Sequence, residues 1–226
     1  REAMDQYSAE SQQKAIVAIE AGKFKDEIVP VEVPGRQGKI TVFDTDEGPR
    51  PGTTVEALAK LRPVFSKDGK TTAGNASTLN DGAAAVVVSS RAYAEARGLK
   101  PMARIVSYGH AAVHPKRLFA APAQAIPKVL AKAGWALTDV DLIELNEAFS
   151  AQCLANGYEL ADQGWDWEKV NVNGGGISLG HPIGASGARI VATLIYALKD
   201  RGLKRGLACL CLGGGEAVAM TIELED

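Results

Sequence analysis

The chain has 226 residues, of which 46% are hydrophobic, and a formal net charge of −2 at pH 7. This balance excludes the strongly basic surface that is typical of nucleic-acid-binding proteins. No apolar run approaches the roughly 20 residues that cross a bilayer, and the polar first residues do not resemble a signal peptide.

The first 80 residues predict short elements joined by long connections. Met4, Tyr7, Ala15 and Ile19 share one helical face, and Gly22 marks its expected end. Further predicted elements are strands at 28–33 and 39–43, a loop at 44–52, and a helix from a capping box at Thr53 and Glu56 to about residue 61. We expect a cap or loop region here.

From residue 80 onwards, strands and helices alternate. Residues 83–89 are almost all apolar, which predicts a strand covered on both faces of its sheet. A short helix capped by Ser89 or Ser90 follows. The other predicted elements are strands at 102–108, 140–145, 207–212 and 217–223, and helices at 122–133, 147–161 and 185–200. This order predicts a mixed α/β sheet with helices on its faces.

Two glycine runs accompany a histidine and a cysteine. Residues 174–176 precede His181, and residues 213–215 follow Cys211. An imidazole, a thiol and accessible backbone N–H groups are typical parts of acyl chemistry. His181 precedes an apolar helix, whose N-terminal dipole favours a developing oxyanion. A structural loop histidine and an ordinary strand-end cysteine are the alternatives.

Asn146 follows the predicted strand at 140–145, where α/β folds place ligand-binding groups. The commonest role of such an asparagine is to cap the next helix, and Glu147 fits either a buried acid or a solvated first-turn residue. Cys209 and Cys211 lack the second ligand pair of a zinc site, so we predict no metal. Free thiols suit a reducing compartment and predict a cytoplasmic protein.

Four segments, in chain order, together resemble the thiolase family. They read TAGNAS at 72–77 with NDGAA at 80–84, NEAF at 146–149, NGGGISLGHPIGASG at 173–187, and CLGGG at 211–215. The resemblance extends over the whole chain. It implies a layered α/β fold, with a mixed sheet covered by helices and preceded by part of a loop (cap) domain.

The resemblance implies an acyltransferase that interconverts 3-ketoacyl-CoA and shorter acyl-CoA. Cys211 would move the proton on the substrate α-carbon. His181 would activate a nucleophilic cysteine and donate to the thioester oxygen, and Asn146 would hold a water in the same oxyanion hole. The N–H of Gly213 would serve a second hole.

The resemblance also implies substrate-binding residues. They are Ser77 and Ala76 at the pantetheine channel, Arg50 and Leu61 at the adenine end, and Ala148 and Phe149 at the acyl end. Coenzyme A would be a substrate, with no separate cofactor. Phe119 stands where the family usually has a small residue, which should reshape the acyl pocket.

The nucleophilic cysteine of the family is missing, because neither Cys153 nor Cys209 lies in its motif. We expect residues 1–79 to be part of the loop domain, 80–100 the last strand and helix of the N-terminal domain, and 101–226 the C-terminal domain. The chain begins at Arg1 rather than Met, which predicts a piece of a longer gene product or a separate half.

An unpaired apolar strand at 83–89 would be an aggregation hazard. We therefore expect a complementary polypeptide that carries the nucleophile, in a dimer or tetramer of complete units, and an inactive chain without it. The alternatives are a non-catalytic CoA-binding or scaffolding subunit and a related condensing enzyme that uses a carrier protein.

Overall fold

A long helix and several short elements form the first part of the chain, in a computed structural model that describes residues 1–225. These elements are α1 (Glu2–Glu20), β1 (Val31–Pro34), β2 (Ile40–Phe43), α2 (Val55–Ala59) and α3 (Arg91–Ala96). The β1–β2 pair is an exposed antiparallel hairpin. α1 buries Ala15 and Ala18 against Phe24 and Leu179, which anchors this part to the remainder of the molecule.

A mixed four-stranded sheet organises the second part. Its strands are β3 (Ala103–Ala112), β4 (Leu142–Leu145), β5 (Arg205–Leu212) and β6 (Glu216–Leu224), in the spatial order β3-β6-β5-β4. β4 and β5 run parallel, whereas β6 is antiparallel to both β5 and β3. The carboxyl ends of β4 and β5 therefore lie at the same edge of the sheet.

Helices cover both faces of this sheet. They are α4 (Ala121–Ala133), α5 (Ser150–Glu159) and α7 (Ser186–Arg201), whereas the single turn α6 (Gly176–Leu179) packs against α1. Because side chains alternate along a strand, Ile143 and Leu207 pack with α4 and α5, whereas their neighbours Leu142 and Ala208 pack with α7. The predicted mixed α/β architecture is confirmed.

Most elements form where the sequence predicts them, with ends shifted by a few residues. The α2 cap is Thr54 rather than Thr53, since the Thr54 hydroxyl accepts from the Ala57 N–H. Ser90 caps α3. The helix expected from residue 147 begins only at Ser150, because the residue before it, Phe149, has an extended backbone and is itself the N-cap position. Asn146 is therefore not its N-cap.

The strand predicted at 83–89 is wrong. Residues 77–90, all described by the structure, have no helix or strand assignment. Val87 is 100% and Leu79 89% exposed. An apolar run becomes a strand only when another strand satisfies its backbone groups, and no strand of the described chain pairs with this segment.

Candidate functional site

The carboxyl end of β4 places Asn146 beside His181. The Asn146 N–H donates to the Cys209 carbonyl at 2.9 Å, which extends the β4–β5 ladder by one residue. The Asn146 side chain is buried, and its Nδ2 lies 3.4 Å from Nε2 of His181. Two segments far apart in the sequence are thus brought together as the motifs indicated.

The turn that carries His181 is fixed by a loop from the first part of the chain. The His181 N–H contacts the Asn80 side-chain oxygen at 3.2 Å and the Thr78 carbonyl at 3.3 Å. Gly180 has φ +98°, and a Cβ there would fall 2.5 Å from the same Asn80 oxygen. Only glycine allows this close approach, so the turn and the loop hold one another in place.

The imidazole of His181 is half-buried, and Nδ1 lies 2.6 Å from the hydroxyl of Ser186. Burial, followed by the charge of Arg189, lowers the pKa of His181 below its usual value. Both effects disfavour the imidazolium. The ring is therefore neutral at neutral pH and able to accept a proton.

Glu147 joins the segment 146–149 to α1 and to the glycine-rich turn. Its buried carboxylate accepts hydrogen bonds from Tyr7 at 3.0 Å, Ser11 at 2.7 Å, Asn171 at 3.0 Å and the Ile177 N–H at 3.0 Å. Of the two expectations for Glu147, the buried acid is confirmed. These hydrogen bonds tie the segment that carries Asn146 to α1, to Asn171 and to the turn α6.

Cys211 lies near the end of β5, two residues past the Cys209 carbonyl that contacts Asn146. Its thiol is half-buried, and burial raises its pKa. Burial and then the charge of Glu147 raise the pKa of the nearby Cys153, whose thiol contacts the Asn146 carbonyl at 4.0 Å. Because β4 and β5 run parallel, Cys211 lies at the same edge of the sheet as Asn146. Beyond it, Gly213 is exposed, with no atom within 4 Å of an added Cβ.

Four of the predicted substrate-binding residues meet at one place. The Ser77 N–H and hydroxyl contact the Ala148 carbonyl at 3.1 and 3.0 Å, and Ala76 forms a β-bridge with Phe149. The Phe149 ring packs edge-on against Phe119, with centroids 5.1 Å apart. These contacts join the TAGNAS and NEAF segments into one wall.

Arg50 and Leu61, the other two predicted substrate-binding residues, flank α2. Arg50 is exposed, and its N–H donates to Gln12 at 2.8 Å. Leu61 is 38% exposed. The structure places both on the loop region rather than on the wall formed by Ser77 and Ala148.

Four contacting residues of the site had no role assigned from the sequence: Ser186, Asn80, Tyr7 and Ser11. Tyr7 and Ser11 are spaced i, i+4, so their hydroxyls share one face of α1. The buried side of α1 also carries Asp5, Ser8 and Gln12, so its many polar side chains are a signal of buried hydrogen-bond partners. No comparable local pattern points to Ser186 or Asn80, whose partners lie across turns.

No group of three or more metal-ligating side chains occurs within residues 1–225. Among the helices described over this range, none is both long and apolar enough to cross a membrane.

Comparisons with known proteins identify the family of the chain. The thiolase C-terminal domain model matches residues 99–224, and the thiolase N-terminal domain model matches residues 1–92. The chain is 59% identical over 222 residues to an acetyl-CoA acetyltransferase of Pseudomonas aeruginosa, covering 98% of this chain and 56% of that protein.

Solved structures give the same result. The acetyl-CoA acetyltransferase of Bacillus anthracis superposes with a TM-score of 0.94 at 52% identity, covering all of this chain and 56% of that one. Human mitochondrial 3-ketoacyl-CoA thiolase gives a TM-score of 0.90 at 40% identity, again covering all of this chain and 56% of that one. The chain thus spans little more than half the length of these relatives, and it belongs to the thiolase family.

Proposed function

We propose that the chain is part of an acyl-CoA C-acyltransferase that carries out reversible thiolysis of 3-ketoacyl-CoA. The observation that supports this most is the 3.4 Å contact between Asn146 and His181 at the sheet edge where β5 delivers Cys211. Forming an enolate beside a thioester requires a proton acceptor and donors to an oxyanion. The side chains of Asn146, His181 and Cys211 together supply the proton acceptor and the donors to the oxyanion.

We assign the roles as follows. Cys211 takes and returns the α-carbon proton, and its raised pKa keeps the resting thiol protonated and ready to donate. His181 activates the nucleophilic thiol and then donates to the thioester oxygen. Asn146 holds a water in the same oxyanion hole, and the exposed Gly213 N–H serves a second hole.

Coenzyme A is the proposed substrate. Ser77 and Ala76 would contact pantetheine, Ala148 and Phe149 the acyl group, and Arg50 and Leu61 the adenine end. Phe119, packed against Phe149, narrows the acyl end. No separate cofactor enters this scheme.

We also propose that the remaining part of a thiolase, with its nucleophilic cysteine, completes the site. The exposed apolar residues 86–88 within the run 83–89 and the 56% coverage of the relatives support this. In this scheme residues 1–79 belong to the loop domain, 80–100 complete the N-terminal domain and 101–226 form the C-terminal domain. The complete unit would form a cytoplasmic dimer or tetramer, with the three cysteines free.

The test compares two proteins: the 226-residue chain alone, and the complete polypeptide or reconstituted pair. Each is assayed for CoA-dependent cleavage of acetoacetyl-CoA. We expect cleavage only by the complete protein. An active isolated chain would refute the need for a partner. A complete protein that binds acyl-CoA without cleaving it would favour the scaffolding alternative, and one that requires an acyl carrier protein would favour the condensing-enzyme alternative.

A further inference from the structure

Ser186 connects His181 to the backbone of its own turn. It is the first residue of α7 and is fully buried. Its hydroxyl lies 2.6 Å from Nδ1 of His181 and 2.9 Å from the carbonyl oxygen of Pro182. One hydroxyl thus contacts a ring nitrogen and a carbonyl at the same time.

The hydroxyl has a single proton to donate, and the Pro182 carbonyl can only accept. If Ser186 donates to Pro182, its oxygen lone pairs are left to accept from an N–H at Nδ1, and both contacts are hydrogen bonds. If Ser186 instead donates to Nδ1, two lone-pair-bearing oxygens face each other at 2.9 Å without a proton. The Pro182 carbonyl therefore favours a proton on Nδ1.

The opposite side of the ring favours the same tautomer. Nε2 of His181 faces Nδ2 of Asn146 at 3.4 Å. The amide nitrogen is a donor, so an unprotonated Nε2 accepts from it, whereas a protonated Nε2 would place two donors against each other. The two contacts are independent, since they involve different atoms and different segments of the chain.

We propose that Ser186 is a positioning residue that holds neutral His181 as the Nδ1–H tautomer. The Nε2 lone pair then faces Asn146 at 3.4 Å in the resting ring and exchanges this long contact for a proton taken from a thiol. The inference rests on the proposed function for the identity of that thiol, the nucleophilic cysteine. In the step, the S–H bond breaks and an Nε2–H bond forms, which yields a thiolate and an imidazolium. The new Nε2–H is then the donor for the thioester oxygen.

Burial, followed by the charge of Arg189 on α7, disfavours the imidazolium and so favours a neutral resting ring. The acids next in sequence to the residues that contact His181 are Glu147, beside Asn146, and Asp81, beside Asn80, and the thiol of Cys211 lies on β5. An ionised acid close to the ring acts in the opposite direction from Arg189. In the imidazolium, the Nδ1–H donates to Ser186 more strongly than in the neutral ring, so Ser186 also stabilises the product of proton transfer.

The tautomer can be measured directly in the complete protein labelled with ¹⁵N in its histidine rings. The His181 signals are assigned by their loss in His181→Gln. Above the ring pKa we expect the proton on Nδ1 in the parent and a shift towards Nε2–H in Ser186→Ala. A parent ring protonated at Nε2 would overturn the proposal, whatever the activity of the enzyme.

Kinetics give a second readout. We expect Ser186→Ala to lower kcat/KM for acetoacetyl-CoA cleavage about 100-fold, a typical contribution of a positioned proton-transfer group. The acid limb of the kcat/KM profile of Ser186→Ala should move to lower pH, because the His181 imidazolium loses the hydroxyl that accepts from its Nδ1–H. Ser186→Thr, which keeps the hydroxyl, should restore most of the rate. Equal losses of kcat/KM in Ser186→Ala and Ser186→Thr, with an unmoved pH profile, would refute a positioning role for Ser186.

The two proposals fail in different ways. A complete parent protein without activity would refute the proposed function but leave the measurement of the His181 tautomer valid.

Discussion

At the scale of the residue, Glu147 carries an unusual share of the contacts. Its carboxylate is 1% exposed and accepts from two hydroxyls, one side-chain amide and one backbone N–H. A buried charge is tolerated when several donors satisfy it. The neighbouring turn is shaped to fit, since a Cβ on Gly175 would lie 2.4 Å from the Glu147 carboxyl carbon.

Removing this carboxylate should destabilise the fold. Glu147→Ala removes an acceptor that four donors share. Ser11 and Asn171 keep second partners in Ser178 and the Leu145 carbonyl, whereas the Tyr7 hydroxyl and the Ile177 N–H lose the acceptor to which they donate, and each unsatisfied group costs about 1–3 kcal/mol. We expect the free energy of unfolding of the complete protein to fall by about 3 kcal/mol or more, measured by urea denaturation. The matched control is Glu159→Ala, which removes an exposed carboxylate bonded to Gln124 at 2.8 Å. Equal unfolding midpoints for the two variants would contradict this account.

The role of Glu147 as a shared acceptor could not be predicted from the sequence, although a buried acid was one of the two expectations. Its donors come from positions 7, 11, 171 and 177. The helix or strand propensity of a residue carries no information on contacts with residues that lie 24 to 140 positions away in the sequence. The pairing of Asn146 with His181 was found because each lies in a motif of a known family, and not because spacing alone reveals it.

At the scale of the element, the sheet and its helices follow directly from the apolar pattern. β5 and β6 were predicted as a strand pair because apolar runs flank a three-glycine turn, and Gly214 and Gly215 do adopt positive φ of 82° and 101°. The single turn α6 was missed because glycine and serine have low helical propensity. It forms because Glu147 accepts the Ile177 N–H of its first turn.

β4 carries Glu144, which is buried like Glu147. Titration of Glu144 should make the free energy of unfolding depend on pH. Burial raises the pKa of Glu144 to about 8, and burial likewise raises that of Glu27 to about 7. Arg189 and Lys14 oppose the shift at Glu144, whereas Glu27 and Glu147 add to it. Between the ordinary carboxyl pKa near 4.5 and these values, the folded state binds more protons than the unfolded state.

Stability should therefore fall as pH rises from about 5 to 8, by at most about 1.4 kcal/mol per pH unit for each group. The lowered pKa of His181 acts in the opposite direction. We expect Glu144→Gln to flatten the decline, measured as urea midpoints across this range. Glu223→Gln is the control, because the hydrogen bond from Arg104 lowers the pKa of this partly exposed carboxyl, which therefore stays ionised above pH 5. A Glu144→Gln profile as steep as that of the parent would contradict the prediction.

At the scale of the whole molecule, the sequence correctly indicated that residues 83–89 are apolar but not what they contact. Val87 and Val88 are 100% and 68% exposed, and strand formation depends on a neighbour that the described residues do not supply. The sheet edge that carries Asn146 and His181 is different, because contacts between described residues already hold it, although the proposed nucleophile lies outside them. Asn146, His181 and Cys211 are positioned by β4, the turn before α7 and β5, respectively.

The most direct test of the account is the rate of acetoacetyl-CoA thiolysis by the complete protein with Cys211→Ser. If the Cys211 thiol moves the α-carbon proton, kcat should fall by about 10²–10⁴-fold. Cys209→Ala alters a fully buried thiol two residues away on the same strand and should keep most of the rate. A Cys211→Ser enzyme with a kcat close to that of the parent would contradict the central claim that this thiol does the proton transfer.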